Sequence, residues 1–389
     1  GTSFNSLVDW TGVDDLGSST WFGAIRVSKG GYHTITHLAD INGDGLPDRI
    51  MWQEASPSVW KVQFNNGRGF ETTESWGGTI EYFGDVWYGH IMDSTTPSGS
   101  STSYTKVDLF DINGDGLPDR VMKQSASAEV LKVQINNGTG FEAVEDWIGL
   151  DTNGDANTYG WIRAIQDPNK VVLDMSDING DGLLDRVLAN QSNTYWKEQL
   201  GTGKVPDMLL TINNGRGGTT TITYSPSTQY DNTDTTGKQR FPFVVQVVSQ
   251  VSQVDGMGNT VSTNYSYKGG MYDAVAREFR GFREVTVSDA LGTQTIHTFG
   301  QTDHNKGKIL TKEGRDSSNN LFSKEVTTWD DTHPYTGVHF VFVSQQDNYL
   351  YDGNGTYKQT RQTFTYDSYG NLASTTEEGD TSLSTDSRK

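Results

Sequence analysis

One acidic nonapeptide constrains this chain more than any other feature. Asp40-Ile-Asn-Gly-Asp-Gly-Leu-Pro-Asp48 recurs letter for letter from Asp111 to Asp119. It returns from Asp177 to Asp185, with Leu184 in place of proline. The copies start 71 and 66 residues apart, and each is followed by an arginine, Arg49, Arg120 or Arg186. A second marker lies 25 residues after the start of the first two copies: Asn65-Asn-Gly-Arg-Gly-Phe70 and Asn136-Asn-Gly-Thr-Gly-Phe141. Its third copy reads as Asn213-Asn-Gly-Arg-Gly217, delayed by an eleven-residue insertion. Phe70 and Trp76 stand six apart, as do Phe141 and Trp147, and Phe4 and Trp10. Gly1 aligns with Gly67, so the chain is expected to begin inside a repeat and to be part of a longer protein.

A unit of this length cannot bury its own faces, so the repeats are expected to pack side by side. Lys61-Val-Gln-Phe64 and Lys132-Val-Gln-Ile135 alternate polar and apolar residues, and Asn-Gly and Gly-x-Gly turns punctuate them. That pattern predicts strands and hairpins. Four-stranded blades of a β-propeller fit. Three repeats fall short of the roughly 4–8 blades that close a ring, so missing blades would lie outside this chain. The recurring Trp10, Trp76 and Trp147 are expected in the core.

The loop places side-chain oxygens at positions 1, 3, 5 and 9 and a backbone carbonyl at position 7. Its glycines permit the bend that turns them inward. An oxygen-only set suits Ca²⁺ better than Mg²⁺, which demands an octahedron, or a transition metal, which favours His or Cys. Three ions are expected. The first would sit on Asp40, Asn42, Asp44, Leu46 and Asp48, the second on Asp111, Asn113, Asp115, Leu117 and Asp119. The third would sit on Asp177, Asn179, Asp181, Leu183 and Asp185. Metal-free hairpin turns are the bland alternative, but three uncompensated carboxylates per loop repel one another. The loops are not EF-hands. Position 12 holds Met51, Met122 and Leu188 instead of Glu, and apolar residues two positions outside each loop predict flanking strands. Asp151-Thr-Asn-Gly-Asp155 has Tyr159 at position 9 and reads as a turn. Each arginine is expected to hold its loop or a neighbouring blade through an ion pair or hydrogen bond.

After Gly218 the acidic loops stop. Thr219-Thr-Thr-Ile-Thr-Tyr224 and Glu284-Val-Thr-Val287 read as strands, and Phe243–Val248 and Gly337–Val343 as strands buried on both faces. The expected domains are 1–218, propeller repeats, and 219–389, an extended antiparallel sheet or sandwich. The whole chain is therefore expected to be all-β. Tyr366-Asp-Ser-Tyr-Gly-Asn-Leu372 matches one YD repeat.

Composition narrows the function. The chain has 389 residues, no cysteine, seven histidines and a net charge of −19. Disulfides and thiolate chemistry are excluded, and nucleic acid is disfavoured as a partner. No apolar run approaches the ~18 residues of a membrane span, and no signal peptide opens the chain. No serine-nucleophile elbow, phosphate loop or zinc-protease motif is present. Among the histidines, His37 aligns with Asp108 and Asp174, so the repeats share no imidazole. His297 and His304 flank Phe299 and Asp303 and read as solvated or satisfied groups rather than a catalytic pair.

The acidic repeats resemble FG-GAP/VCBS repeats, which build calcium-binding β-propellers; the resemblance covers roughly residues 1–218. The second half resembles the middle region of B components of bacterial insecticidal toxin complexes (TcB, SpvB-like). Tyr224-Ser-Pro-Ser-Thr228, Phe241-Pro-Phe243, Tyr265-Ser-Tyr267 and Arg277-Glu-Phe-Arg-Gly-Phe282 carry it. The resemblance implies a secreted or cell-surface bacterial protein of the Rhs/YD-repeat type. Its propeller would dock on a pore-forming A component, and its YD strands would wall a shell around a toxic segment. It also implies a chain without catalysis of its own, since the long YD array, self-cleaving core and toxin are absent. Two other readings stay open: an adhesin or lectin-like propeller that binds glycan, and an accessory part of a polysaccharide-degrading enzyme.

Overall fold

The computed structural model describes all residues except 1–8, 15, 17–23, 31, 82, 84–85, 127, 167–169, 190–194, 204, 354, 384–386 and 389. Gly1 and Phe4 thus lie outside the described residues. Every pair of described strands is antiparallel, apart from isolated bridges. Helix among the described residues is limited to Ala156–Tyr159 and two 3-10 turns, Val86–Gly89 and Ser227–Gln229. The chain divides into two units, Gly1–Asn179 with Leu183–Asp207, and Gly180–Gly182 with Met208–Lys389. The boundary read from sequence, at 218/219, differs from this division by eleven residues.

In the first unit the repeat becomes a repeated meander. The first set is Val27–Lys29, His33–Ala39, Asp48–Trp52, Trp60–Gln63 and Glu74–Ser75. The second is Met92–Thr95, Ser103–Phe110, Asp119–Met122, Val130–Gln134 and Glu145–Ile148. The third is Arg163–Gln166, Lys170–Ser176, Asp185–Ala189 and Trp196–Gln199. Register is preserved across the sets: Ala39 pairs with Asp48, Phe110 with Asp119, and Ser176 with Asp185. The acidic segment is therefore the same hairpin loop three times over, flanked by strands as expected.

Two kinds of contact join the sets. Met92–Thr95 pairs with both His33–Ala39 and Ser103–Phe110, and Arg163–Gln166 pairs with both Ser103–Phe110 and Lys170–Ser176. Parallel bridges Thr11↔Gly69 and Gly77↔Gly140 add a second seam. The seam demands glycine. Gly78 has φ +76°, and a Cβ there would meet the Phe141 carbonyl oxygen at 2.0 Å. Gly12 repeats this against Phe70. Asp48–Trp52 and Asp119–Met122 are buried at every position rather than alternately, because both faces of these strands are covered. Trp60, Val62, Val121, Val133, Leu173 and Leu188 complete the cores. Among the described residues the sets form an open sheet, and no closed ring is seen.

The tryptophan expectation holds for Trp76 and fails for Trp10. Trp76 is buried between Phe64 and Phe141. Trp10 makes the equivalent edge contact with Phe70 but is 43% exposed. Trp147 is half-buried.

The second unit is one 12-stranded meander in sequence order, from Thr211–Asn213 to Ser387–Arg388, and not a sandwich. Val247 and Phe282 are its buried hydrophobic side chains among the described residues. The runs expected to be buried on both faces are not. Phe243 is exposed, the strand starts only at Gln246, and Val338–Tyr351 is mostly half-buried. Among the described residues the unit has no second sheet to cover these apolar runs. Asn213-Asn214-Gly215 is also reassigned. It closes a hairpin of this second sheet, where Asn214 donates its amide to Gly218, and it is not the marker of the third repeat.

One turn device organises this sheet. Asp255, Asp289, Asp316 and Asp367 each use Oδ1 to accept the amides two and four residues ahead. Where the fourth residue is Asn, its side chain returns a bond to Oδ2. Asp234 makes the same two bonds in the connection before Gln246, so the YD-like segment at 366–372 is one of five such turns among the described residues. Only this turn has Tyr directly before its Asp, which is why it alone matches the YD pattern.

Candidate metal centre

Each acidic loop is shaped by its own carboxylates. Asp40 Oδ1 accepts the amides of Gly43 (2.9 Å) and Asp44 (3.1 Å), and Oδ2 accepts that of Gly45 (2.8 Å). Asn42 Oδ1 accepts the Asp44 amide and Asp44 Oδ1 the Leu46 amide. The second loop repeats each bond through Asp111, Asn113 and Asp115. Gly43 and Gly45 hold φ of +78° and +85°, which these bonds require and other residues resist.

The ninth residue turns away from the surface. Asp48 is fully buried, accepting the Ile41 amide on Oδ2 (3.2 Å) and the Asn65 amide on Oδ1 (2.9 Å). Asp119 does the same with Ile112 and Asn136, and Asp185 with Ile178 and Gly201. Gly201, not Asn213, is thus the third counterpart of Asn65. Burial raises the Asp48 carboxyl above its usual range, and Asp44 and Asp40 add repulsion. Burial likewise pushes Asp119 up to about 7, with Asp115 and Asp111 behind it. A hard divalent cation would relieve both groups, and the oxygen-only donors fit one. The carboxylates of a loop do not, however, approach within 4.8 Å of one another as a threesome.

The arginines are buried keystones. Arg49 Nη1 donates to Gln63 Oε1 (2.6 Å) and the Asp14 carbonyl (2.8 Å). Arg120 donates to Gln134 Oε1 and to the Tyr88 and Glu81 carbonyls. Arg186 donates to Gln199 Oε1 (2.6 Å), the Asp151 carbonyl (3.0 Å) and the Tyr159 carbonyl (2.5 Å). These bonds fasten the strand after each loop to the segment entering its repeat, and no loop carboxylate is involved. The glutamines were missed in the sequence, although their recurrence 14, 14 and 13 residues after the arginines was available as a signal.

In the second unit the residues that carried the toxin-complex resemblance gather in space. Phe241 stacks on Phe279 at 4.7 Å and meets Phe243 and Phe282 edge-on. Tyr267 packs against Phe282 and Tyr230. Arg280, buried beside them, pairs with Asp273 (2.7 Å) and Asp303. The cluster therefore ties the loop around Phe241 to the paired strands Thr260–Asp273 and Glu278–Ser288.

Histidines also group. His33 contacts Asp93, and His90 stacks on His33 with ring centroids 4.9 Å apart. His304 does not pair with His297; it meets His339 and Asp331, and His333 meets those same two residues. Neither grouping was foreseen, because each joins segments that approach only through the sheet.

The family model described as "Insecticide toxin TcdB middle/N-terminal region" matches residues 158–312. No curated protein sequence matches the chain. Among solved structures, the Photorhabdus luminescens Tc holotoxin pore is similar over 91% of this chain and 19% of its own, at 17% identity and TM-score 0.64. The TcdB2-TccC3 crystal structure is similar over 95% of this chain and 20% of its own, at 18% identity and TM-score 0.67. The chain thus spans about a fifth of the length of the structures it matches, and at these identities the likeness is one of fold. Among the described residues, no helix is long and apolar enough to cross a membrane. Residues 158–312, which contain the aromatic cluster, are therefore similar to the TcdB middle region, and the chain as a whole has the all-β fold of part of a Tc toxin-complex protein.

Proposed function

We propose that the chain is a structural and docking segment of a secreted bacterial toxin complex, corresponding to part of its B component, and that it carries no catalytic activity. The observation that carries this reading is the coincidence of two matches: the TcdB middle-region match over 158–312 and the toxin-complex fold over nine-tenths of the chain. In this reading the three meanders are blades of a propeller that other parts of the protein complete, and the propeller docks on a pore-forming A component. The 12-stranded sheet is a length of shell wall that continues into YD-type strands around a toxic cargo. A thin sheet with little buried apolar surface of its own suits a wall that gains cover from further strands.

Calcium belongs to the same reading. One ion per loop would sit on Asp40, Asn42, Asp44, the Leu46 carbonyl and Asp48, and on their equivalents. It would bind by drawing the separated carboxylates together and offsetting their repulsion. The test is binding of the full chain, with and without Ca²⁺, to a pore-forming A component from the same gene cluster, alongside screens for glycoside, ester and peptide hydrolysis and for polysaccharide lyase activity. Calcium-dependent binding without turnover is expected. Robust turnover abolished by one His or Asp substitution outside the loops would overturn the reading, as would binding to glycans alone.

A further inference from the structure

Three of the seven histidines converge on one carboxylate at one end of the 12-stranded sheet. Asp331 and His333 stand two apart on strand Leu321–Tyr335 and so share a face. His339 follows across the hairpin tip, on strand Val338–Tyr351, where Tyr335 pairs with Val338. His304 comes from the connection between strands Gln294–Phe299 and Ile309–Arg315. That connection is held in shape by backbone bonds from Gly300 to Lys308 and from Lys306 to Thr302.

The donor atoms face one another. Asp331 Oδ2 lies 2.7 Å from His339 Nδ1, 3.3 Å from His333 Nε2 and 3.9 Å from His304 Nδ1. The His304 and His339 rings stack with centroids 3.9 Å apart, and His333 meets His339 edge-on at 4.3 Å. One ring nitrogen of His304, one of His339 and an Asp331 oxygen all lie within 4.8 Å of one another. Asp331 Oδ1 is buried without a hydrogen-bond partner among the described residues. A tetrahedral zinc ion with bonds of about 2.0–2.2 Å sets its donors about 3.3–3.6 Å apart, so Asp331 and His339 would part slightly and His304 would close in. The set is nitrogen-rich, unlike the acidic loops, and so selects zinc or copper over calcium. The imidazoles are partly exposed, which leaves an entry path.

We propose that His304, Asp331 and His339 bind one divalent transition metal of the zinc class, with His333 beside Asp331 as the neighbour that can swing in as a fourth donor. The ion clamps the hairpin tip to the neighbouring connection at that end of the sheet.

The test is calorimetric titration of the full chain with Zn²⁺ in saturating Ca²⁺, with Co²⁺ absorption as a report of ligand geometry. One equivalent is expected to bind, with tetrahedral-type Co²⁺ bands. H304Q and H339Q should each weaken binding by about tenfold or more. D331N supplies a second line of attack should either His variant lose its circular dichroism spectrum. H90Q, which alters the His33–His90–Asp93 group of the first unit, should leave binding intact. Absence of stoichiometric binding would overturn the proposal. So would binding that survives H304Q and H339Q but is lost in H90Q.

Discussion

Replacing Gln134 by leucine should cost the first unit about 4 kcal/mol. Gln134 is fully buried and closes four bonds. Its Oε1 accepts from Arg120 Nη1 and from the Glu81 amide (3.1 Å). Its Nε2 donates to the carbonyls of Thr79 (2.8 Å) and Glu142 (3.0 Å). Leucine keeps the volume and removes every one of these bonds. A buried polar group left unpaired costs about 1–3 kcal/mol, more when it is charged. Arg120 is fully buried, and burial already pushes it down to about 9, so its lost acceptor is the largest part of the loss. Gln199 is the internal control. It makes the same bond to Arg186 but is only half-buried, so water can replace its partners and Q199L should cost about 1–2 kcal/mol. Urea unfolding followed by tryptophan fluorescence reads the right unit, since Trp329 alone of the ten tryptophans lies in the second. A Q134L loss below about 1 kcal/mol, or an equal loss in Q199L, would refute the keystone argument.

Three further outcomes are expected. Chelation should lower the melting temperature of the first unit, and Ca²⁺ should restore it, each site adding about 2.7 kcal/mol at a hundredfold over its Kd; an unchanged melting curve would remove calcium from the loops. Burial raises Asp108 from 3.8 to about 6, so its ionised form opposes folding. The carboxyl is protonated in both states below the unfolded value, and its cost grows as pH rises through 6. D108N should therefore stabilise by up to about 3 kcal/mol at pH 7 and by almost nothing near pH 4, as thermal melts at the two pH values would show. G78A should cost about 2–4 kcal/mol, combining left-handed strain with the overlap on Phe141, whereas G99A, at φ +77° in open space, should cost only the strain, about 1–2 kcal/mol. Equal losses in paired denaturant curves would show that the seam between repeats is not tight.

Local chemistry made part of this protein legible from its letters. The Asp-Asn-Asp-Gly spacing dictates a hairpin loop, because a carboxylate followed by glycines captures the amides ahead of it wherever it stands. Alternating strands and the antiparallel class follow from period-two patterns. The structural role of Arg49, Arg120 and Arg186 was readable from their recurrence. Their partners were not, since a carbonyl such as Tyr88 meets Arg120 only after the chain has folded back over 32 residues. The same distance hid Gly201 behind the more conspicuous Asn213, exposed Trp10 while burying its counterpart Trp76, and decided for one sheet where the pattern allowed a sheet or a sandwich. Sequence periodicity reports what a segment does to itself; burial, partner choice and the meeting of His304 with His339 depend on which strands become neighbours, and that is decided by the sheet as a whole.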